Sequence, residues 1–261
     1  MRALVTGAAR RLGREMALYL GRRGYDVAVH YAGSAPEAEA VAAEIRAMGR
    51  QARALRADLL IESQTETLVS RAAQALGGPL TLLVNNASIF ERDTIADASR
   101  ESWDRHFESN LRAPFLLTQR FAAQVPPPAR DDADEPLAQG LIVNMIDQRV
   151  LHPTPDFATY TIAKVGLWTL TRLAAQELAP RVRVNGIGPG PTLQGAHQTP
   201  ESFAAERAST VLGRGANPSD ITAALGFLVD SAAVTGQMIC VDGGQHLGAA
   251  PAGNPAGHAL P

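Results

Sequence analysis

Tyr160 and Lys164 are the two residues whose types and spacing could most directly perform chemistry. They are four positions apart in a segment with a helical pattern, so both side chains are expected on one helix face. A phenol has a reference pKa near ~10, and a nearby ammonium favours its ionised form, so the pair could shuttle a proton. Many surface helices carry the same spacing, and the pair alone is therefore weak evidence.

Polar residues at the ends of predicted strands strengthen this interpretation. Asn85 and Asn86 end one apolar strand, Asp147 ends another, and Asn110 lies in the long helical segment between them. Because the carboxyl ends of parallel strands share one edge of a sheet, we expect these side chains near Tyr160. Several independent matches in the correct order are stronger evidence than any one of them.

A glycine-containing turn, residues 6–13, joins the first predicted strand to the first helix. Its glycines allow the backbone to approach a pyrophosphate, and the helix N-terminus adds N–H donors and partial positive charge. From this motif alone, an ordinary turn between strand and helix is the alternative. Arg11 could also reach a substrate. The turn residues expected to bind a cofactor are Gly7, Arg10, Arg11, Leu12 and Gly13.

The end of the second predicted strand indicates which nicotinamide cofactor would bind. After His30 and Tyr31 the chain continues with Ala32, Gly33 and Ser34, and it has no acidic residue for a ribose 2′-hydroxyl. The missing carboxylate favours NADP, whose 2′-phosphate a carboxylate would repel. Ser34 could donate to that phosphate or could cap the next helix. His30, Tyr31 and Ser34 are candidate cofactor contacts.

Short apolar runs alternate with longer amphipathic stretches, which is typical of repeated strand–helix–strand units. The pattern predicts an α/β fold with one Rossmann-type, doubly wound parallel sheet of about seven strands. The predicted strands are 3–6, 26–31, 52–56, 80–85, 141–146, 182–186 and 237–241. The predicted helices are 13–24, 35–48, 63–76, 102–123, 159–179 and 218–229.

Two segments fall outside this pattern. Residues 126–140 are rich in proline and acid, and we expect a mobile surface loop there. Residues 249–261 form a small-residue tail that should be flexible or ordered only against another subunit. We therefore predict one domain, residues 1–248, followed by this tail.

The composition is that of an ordinary globular protein, with 261 residues, 46% of them hydrophobic and 19% charged. The formal net charge of −2 gives no electrostatic reason to expect a nucleic acid or a membrane surface as partner. Cys240 is the one cysteine, the six histidines show no metal-ligand spacing, and neither a signal peptide nor a membrane-spanning run is recognisable. We expect a cytoplasmic protein without a metal site.

These motifs resemble the short-chain dehydrogenases/reductases over essentially the whole chain, from Val5 to about Leu247. The resemblance implies a seven-stranded sheet, hydride transfer from a nicotinamide cofactor, and a homotetramer or homodimer packed through the helices near 102–123 and 157–179. It also implies that further cofactor contacts come from Asp58, Leu59, Asn86, Ala87, Ser88, Pro189, Gly190 and Thr192. The matching segments are TGAARRLG (6–13), NNA (85–87), Asn110, YTIAK (160–164), RVNGIGPG (183–190) and VTGQMICVDGG (234–244).

Two departures from the usual family pattern coincide. Arg11 stands where a glycine is usual, and Asp147 stands where the catalytic serine is usual. Both resemble the pteridine reductases and dihydromonapterin reductases, which implies that Phe90 stacks on a pterin, Ser88 lies by cofactor and substrate, and Asp58 contacts the adenine. Further local matches to that branch are HYAGSAPEA (30–38), ADL (57–59), NASIF (86–90) and NMID (144–147).

Asp147 changes the expected proton chemistry. With a reference pKa near ~3.9, its carboxyl should be anionic at neutral pH unless burial raises the pKa. An anion beside Tyr160 opposes tyrosinate formation and keeps the phenol protonated, which suits the reduction of a C=N bond. The alternative is that Asp147 is a turn or N-cap residue in a degenerate site.

The sequence as a whole predicts an NADPH-dependent reductase of a dihydropterin, an oxidised pterin or dihydrofolate. Asp147, Tyr160, Lys164 and Asn110 would be catalytic, with Lys164 orienting the ribose and Asn110 helping to hold a water-linked path to Lys164. Arg11, Ser88, Phe90, Asp147 and Tyr160 would contact the substrate. One departure from the branch is Gly33, where a basic residue often grips the 2′-phosphate.

Two alternatives stay open. The first is a carbonyl reductase, such as a 3-oxoacyl-thioester reductase, against which Asp147 argues. The second is a catalytically silent NADP-binding sensor or partner subunit, against which the intact Tyr160 and Lys164 pair argues. The loop at about 191–209, which contains Gln194, His197 and Gln198, is expected to cover the substrate.

Overall fold

The computed structural model describes residues 1–195 and 198–248, so His197 and the predicted tail lie outside the described residues. A sheet of seven parallel strands forms the centre of the protein. In order across the sheet, the strands are Ala52–Arg56 (β3), Asp26–Tyr31 (β2), Arg2–Val5 (β1), Leu82–Asn85 (β4), Gly140–Met145 (β7), Val182–Pro189 (β8) and Met238–Val241 (β9).

Helices cover both faces of this sheet. The helices are Arg11–Arg22 (α1), Ala35–Ala47 (α2), Glu62–Ala75 (α3), Arg100–Phe107 (α4), Ala113–Gln124 (α5), Ala158–Glu177 (α6), Pro200–Ala208 (α7) and Pro218–Asp230 (α8). Helices α1, α2 and α8 pack on one face, and α3, α5 and α6 pack on the other. Within the described ranges, no helix combines the length and apolar character needed to cross a membrane.

The strands have apolar residues on both sides because both faces of the sheet are covered. In β1, Ala3 and Val5 belong to the core on the side of α1, while Leu4 belongs to the core on the opposite side. The prediction of a doubly wound parallel sheet is confirmed, and β2 and β3 begin and end at the predicted residues.

The long helix predicted over 102–123 is interrupted in the structure. A π-helical turn, Glu108–Arg112, separates α4 from α5. The extra residue of this turn breaks the periodic pattern locally, and it directs the fully buried Asn110 side chain to the backbone of Ile89.

Two loop predictions were incomplete. The segment 126–140 contains a small exposed hairpin, with strands Ala129–Arg130 (β5) and Pro136–Leu137 (β6). The loop after β8 contains α7, whose start has a capping box between Thr199 and Ser202. Strand β8 also extends past the predicted residue 186, because pairing with β9 outweighs the low strand preference of its glycines.

His30 is buried near the carboxyl end of β2 and holds the turn after β1. Its Nδ1 accepts from the backbone N–H of Gly7 at 3.0 Å, and its Nε2 lies 3.0 Å from the carbonyl oxygen of Ala57. One neutral tautomer satisfies both contacts, since Nε2 then donates. Burial lowers the pKa of His30 to about 4. Its side chain therefore fixes the turn after β1, which the sequence predicts to bind a cofactor.

We predict that protonation of His30 destabilises the fold. In the unfolded chain this group titrates near ~6.5, so the unfolded state binds more protons between that pH and about 4. The stabilising contribution is complete above pH ~6.5 and is lost as the pH falls towards about 4. In urea unfolding at pH ~7 and ~4.5, the wild type should lose about 2 kcal/mol more than His30→Asn. Equal losses in both proteins would contradict this role.

Candidate active site

The predicted site residues gather at the carboxyl edge of the sheet. Gly7 follows β1, Asn86 follows β4, Asp147 follows β7 and Gly190 follows β8. These four strands are neighbours in the sheet, so their ends meet in one cleft. Tyr160 and Lys164 reach the same place from the first turns of α6, as the sequence predicted.

The turn after β1 packs so closely against the start of α1 and the end of β4 that a side chain at Gly13 would not fit. Gly7 has φ +61°, and a Cβ added to Gly13 would lie 2.2 Å from the carbonyl oxygen of Gly7 and 2.5 Å from Nδ2 of Asn86. No side chain caps the N-terminus of α1, and its first turn contains no acidic residue. Its N–H groups and partial positive charge therefore suit a phosphate group.

Threonine and asparagine side chains hold this turn to the end of β4. Thr6 Oγ1 accepts from the N–H groups of Asn86 and Ala87, each at 2.9 Å. Asn86 Nδ2 donates to the carbonyl oxygen of Thr6 at 2.8 Å. The backbones of two strands are thus fixed beside the predicted phosphate site.

Arg11 connects this turn to the loop after β8. Its φ is +53°, a backbone conformation that glycine adopts more easily than other residues. The glycine that is usual at this position in the family the chain resembles would therefore fit here without strain. Its Nη1 donates to the carbonyl oxygen of Gln194 at 2.8 Å, and its Nη2 donates to that of Leu193 at 3.0 Å. The guanidinium therefore lies between the phosphate turn and the loop predicted to cover the substrate.

The predicted 2′-phosphate region has a free hydroxyl. Ser34 lies at the N-cap position of α2, but its side chain makes no capping hydrogen bond, so the simple capping alternative is not what the structure contains. Arg10 is exposed and pairs with Glu37 of α2.

The other predicted cofactor contacts lie on neighbouring elements. Tyr31 ends β2, while Asp58 caps the turn after β3 by accepting from Leu60 N–H at 3.0 Å. Leu12 follows Arg11 in α1, and Leu59 is buried in the core.

Tyr160 donates a hydrogen bond from Oη to Asp147 Oδ2 at 2.8 Å. The second carboxylate oxygen of Asp147 accepts from the backbone N–H of Arg149 at 2.9 Å. Lys164 is buried, and its Nζ donates to the carbonyl oxygen of Met145 at 2.8 Å. The Nζ also lies 5.6 Å from the centre of the Tyr160 ring.

Burial dominates the titration of these three groups. It raises the pKa of Tyr160 well above its usual value, and the charge and hydrogen bond of Asp147 act in the same direction, against a smaller opposing hydrogen bond from Ser88. It raises the pKa of Asp147 and lowers that of Lys164 to about 8. Tyr160 therefore keeps its proton at neutral pH, as expected from Asp147 in place of serine.

Phe90 forms one wall of the cleft. Its ring stacks on Phe157, with centroids 4.1 Å apart and planes 8° apart, and meets the Tyr160 ring edge-on at 4.7 Å. The Phe90 side chain is 43% exposed, so part of the ring faces open space. A ring packed in the core would not have this exposure, and an aromatic surface beside Tyr160 could stack on a flat heterocycle.

Asn110 fixes the position of the segment that carries Phe90. Its Oδ1 accepts from the N–H of Ile89 at 2.9 Å, and its Nδ2 donates to the carbonyl oxygen of Ile89 at 2.8 Å. Both ends of the amide are thus occupied by one backbone unit. The structure gives the Asn110 side chain a positioning role in addition to the predicted part in a path to Lys164.

A buried polar network that sequence reasoning missed anchors the start of α6. Asp93 Oδ1 accepts from Thr159 N–H at 3.1 Å, and Asp93 Oδ2 accepts from Ser102 at 2.9 Å and from the Thr159 hydroxyl. His106 Nδ1 lies 2.7 Å from Thr159 Oγ1, and its Nε2 accepts from Glu91 N–H at 3.1 Å. Burial lowers the pKa of His106, so the neutral ring is favoured.

The loop after β8 is held by close packing against Asp242 and by hydrogen bonds within the loop. A Cβ on Gly190 would lie 2.6 Å from Asp242 Cβ, and Thr192 Oγ1 donates to the carbonyl oxygen of Gly190 at 3.0 Å. Gln194 donates to the carbonyl oxygen of Gln198 at 2.6 Å. Pro189, Gly190 and Thr192 lie at the cleft, as predicted.

One group of possible metal ligands lies beside β9. Ligand atoms of Cys240, Asp242 and His246 are within 4.8 Å of one another. The Asp242 carboxylate already accepts from the N–H groups of Gly244 and His246 and contacts His246 Nδ1 at 2.7 Å. The Asp242 carboxylate therefore caps the following turn. This group of three residues was not identified from the sequence, and the expectation of no metal site stays a prediction.

Comparison with known proteins agrees with this geometry. A family model described as enoyl-(acyl carrier protein) reductase matches residues 7–246. The 3-oxoacyl-[acyl-carrier-protein] reductase FabG of Staphylococcus aureus is 33% identical over 252 residues, which cover 94% of this chain and 98% of that protein.

Two solved structures are also similar. The FolM alternative dihydrofolate reductase 1 of Brucella suis, in complex with NADP, is 40% identical, with a TM-score of 0.87 over 94% of this chain and 95% of that one. The landomycin C-6 ketoreductase LanV, with bound NADP and rabelomycin, is 30% identical, with a TM-score of 0.83 over 95% and 96% of the two chains. The matched family, the parallel sheet and the Tyr160–Lys164 pair together lead to one conclusion: the chain belongs to the short-chain dehydrogenase/reductase family.

Proposed function

We propose that this NADP-dependent oxidoreductase reduces a pterin, with a dihydropterin as the preferred substrate class. The observation that carries the proposal is the 2.8 Å hydrogen bond from Tyr160 Oη to Asp147 Oδ2. A carboxylate acceptor holds the proton on the phenol, whereas the usual serine would leave Tyr160 easier to ionise. The likeness to a FolM alternative dihydrofolate reductase supports the same substrate class.

The residues of the cleft fit the cofactor. The absence of a side chain at Gly13 lets the turn after β1 pack closely on the start of α1, and the uncapped N-terminus of this helix offers N–H donors to a pyrophosphate. The free hydroxyl of Ser34 is available to a 2′-phosphate, and the exposed Arg10 lies nearby, paired with Glu37 in the first turn of α2. When bound, NADPH supplies a hydride.

Tyr160 would donate its proton from Oη to the nitrogen of the C=N bond as the adjacent carbon is reduced. The tyrosinate that results is unfavourable beside Asp147, so it would be reprotonated quickly. Lys164 can supply a proton near neutral pH because burial lowers its pKa to about 8. The exposed part of the Phe90 ring would stack on the pterin, and Ser88 would contact it beside Tyr160.

A carbonyl reductase is the second candidate function. The 33% identity to a 3-oxoacyl-[acyl-carrier-protein] reductase over 94% of the chain favours it. Asp147 argues against it, because a carboxylate cannot donate to a substrate carbonyl when it is ionised. A direct comparison of both substrate classes separates the two functions.

We also propose that the protein is a homotetramer packed through α4, α5 and α6. Ile162, Val165 and Leu173 form an exposed apolar stripe along α6, and Phe115 of α5 is also exposed. Apolar side chains at this helical spacing are typical of a helix that packs against another element. A second copy of the chain would cover this surface.

Turnover of a dihydropterin tests the proposed function. We expect loss of NADPH absorbance with a dihydropterin, and little loss with an acetoacetyl thioester or without substrate. Tyr160→Phe should lower kcat by about 10²-fold or more, because the proton donor is gone. Tyr19→Phe, which removes a phenol hydroxyl on α1, is the control and should retain the wild-type rate. Turnover of the thioester alone would refute the pterin assignment, and cofactor binding without any turnover would favour the silent protein.

A double change tests whether Asp147 and Arg11 define the substrate class. Asp147→Ser with Arg11→Gly restores the usual family residues, and glycine fits the positive φ at position 11. We expect kcat/KM for the dihydropterin to fall about tenfold or more, because the proton is held less firmly on Tyr160. Steady-state kinetics of both single variants and the double variant measure this. Unchanged pterin kinetics would mean that neither residue selects the substrate.

A charge placed on the α6 stripe tests the assembly. Val165→Arg should give a smaller species than the wild type, because an arginine in an apolar interface loses its hydration. Size-exclusion chromatography with light scattering gives the mass of each species. Met48→Arg changes an exposed apolar residue on the opposite side of the sheet and should leave the mass unchanged. A wild-type monomer, or an unaltered Val165→Arg assembly, would contradict the proposed interface.

A further inference from the structure

Arg149 lies between the two parts of the site, and the function proposed above gives it no role. It belongs to the short 3-10 turn Gln148–Val150, directly after Asp147. Its backbone N–H donates to Asp147 Oδ1 at 2.9 Å, and its guanidinium carbon lies 5.3 Å from the centre of the Phe157 ring. One residue thus contacts both parts of the site: its backbone binds the proton-handling carboxylate, and its side chain packs on the aromatic wall.

The aromatic wall is a stack with Arg149 at its outer end. Phe90 covers one face of Phe157 at a centroid distance of 4.1 Å, so the guanidinium takes the other face. A planar cation over an aromatic face is attracted by the ring quadrupole. Because Phe90 rests on Phe157, the guanidinium limits how far the Phe90 ring can tilt. The orientation of the substrate-stacking surface therefore depends on Arg149.

Phe157 also requires support from outside its own helix. It has φ +62°, which is uncommon for a residue with a bulky side chain. Its N–H donates to the carbonyl oxygen of Asp93 at 2.7 Å, and Arg149 holds the ring. Nη1 of Arg149 donates a hydrogen bond to the hydroxyl oxygen of Thr154. This bond anchors the guanidinium to the loop that leads to Phe157.

The charge of Arg149 also acts on the proton-handling groups. Asp147 faces Tyr160 and Lys164 on α6, Arg149 on the 3-10 turn and Cys240 on β9. Arg149 and Lys164 are the cations of this set, and both favour the ionised carboxylate. Within the described residues, Nε of Arg149 is buried without a hydrogen-bond partner, so packing of the guanidinium, and not a full set of hydrogen bonds, fixes its position.

We propose that Arg149 is a positioning residue for the reaction: its guanidinium orients the Phe90–Phe157 stack towards the substrate and places a fixed positive charge near Asp147 and Tyr160. The proposal rests on the proposed function for the stacking part, because that part needs a flat substrate. The electrostatic part holds for any substrate that receives a proton from Tyr160.

Two substitutions separate the stack from the charge. Arg149→Met removes the charge and the planar group, while Arg149→Lys keeps the charge. We expect KM for the dihydropterin to rise about tenfold in Arg149→Met, since the stacking surface is released. The acidic transition in the pH profile of kcat should move upward by about half a pH unit or more, because Asp147 loses a cation. Arg149→Lys should restore the pH profile and only partly restore KM.

Arg92→Met is the matched control. Arg92 is an exposed arginine in the same region that pairs with Asp156 at 2.7 Å, and within the described residues its side chain forms no hydrogen bond, ion pair or cation–π contact with Asp147 or Phe157. Its kinetics should match the wild type. A pH profile and KM of Arg149→Met that superimpose on the wild type, or a profile that Arg149→Lys fails to restore, would overturn the proposal.

A measurement without turnover keeps this test separate from the proposed function. Unfolding free energies of the wild type, Arg149→Met, Asp147→Asn and the double variant form a double-mutant cycle at low and at neutral-to-alkaline pH. We expect a coupling between the two residues that appears as Asp147 ionises and vanishes when it is protonated. No pH-dependent coupling would overturn the electrostatic role, whereas failure of pterin turnover alone would refute only the proposed function and the stacking role.

Discussion

The hydrogen bond between Tyr160 and Asp147 is the interaction on which the cleft depends, and burial gives it its character. In water the carboxyl of Asp147 would ionise readily and the phenol of Tyr160 would not, but loss of solvent raises the pKa of both groups, and the contact with Asp147 makes a tyrosinate still less favourable. The buried Lys164 shows the opposite effect, with a pKa lowered to about 8. The same exclusion of water therefore produces a phenol that keeps its proton and an amine that can give one up near neutral pH.

This contact requires a fixed position of the start of α6 relative to the end of β7. Asp93, from a third segment, holds the start of α6: its side chain accepts from the N–H of Thr159, and its carbonyl oxygen accepts from the N–H of Phe157. Asp93 therefore acts as an N-cap for α6. His106 joins the same network to the segment of Phe90. The network therefore joins the helix that carries the proton donor to the segment that carries the stacking surface.

The order of strands and helices was predictable because buried parallel strands are short continuous apolar runs, whereas amphipathic helices repeat their apolar residues every three to four positions. Strands β2 and β3 matched their predicted bounds, whereas the hairpin of β5 and β6, helix α7 and the π-helical turn at Asn110 were missed. Short hairpin strands and a single widened turn leave almost no periodic signal. The glycines of β8 weakened its strand pattern, and only pairing with β9 extended it to Pro189.

The sequence by itself determined the fold class and the family and predicted the principal site residues, because glycine turns, strand-end polar residues and the Tyr160–Lys164 spacing are local features. The tertiary structure decided which side chains share the cleft. Asp93 and Thr159, which are 66 residues apart, meet only after the sheet and α6 have packed, and Arg149 reaches the ring of Phe157 through the same folding of the loop. It also decided the direction of each pKa shift, since burial is a property of the packed chain and cannot be assigned to a residue type.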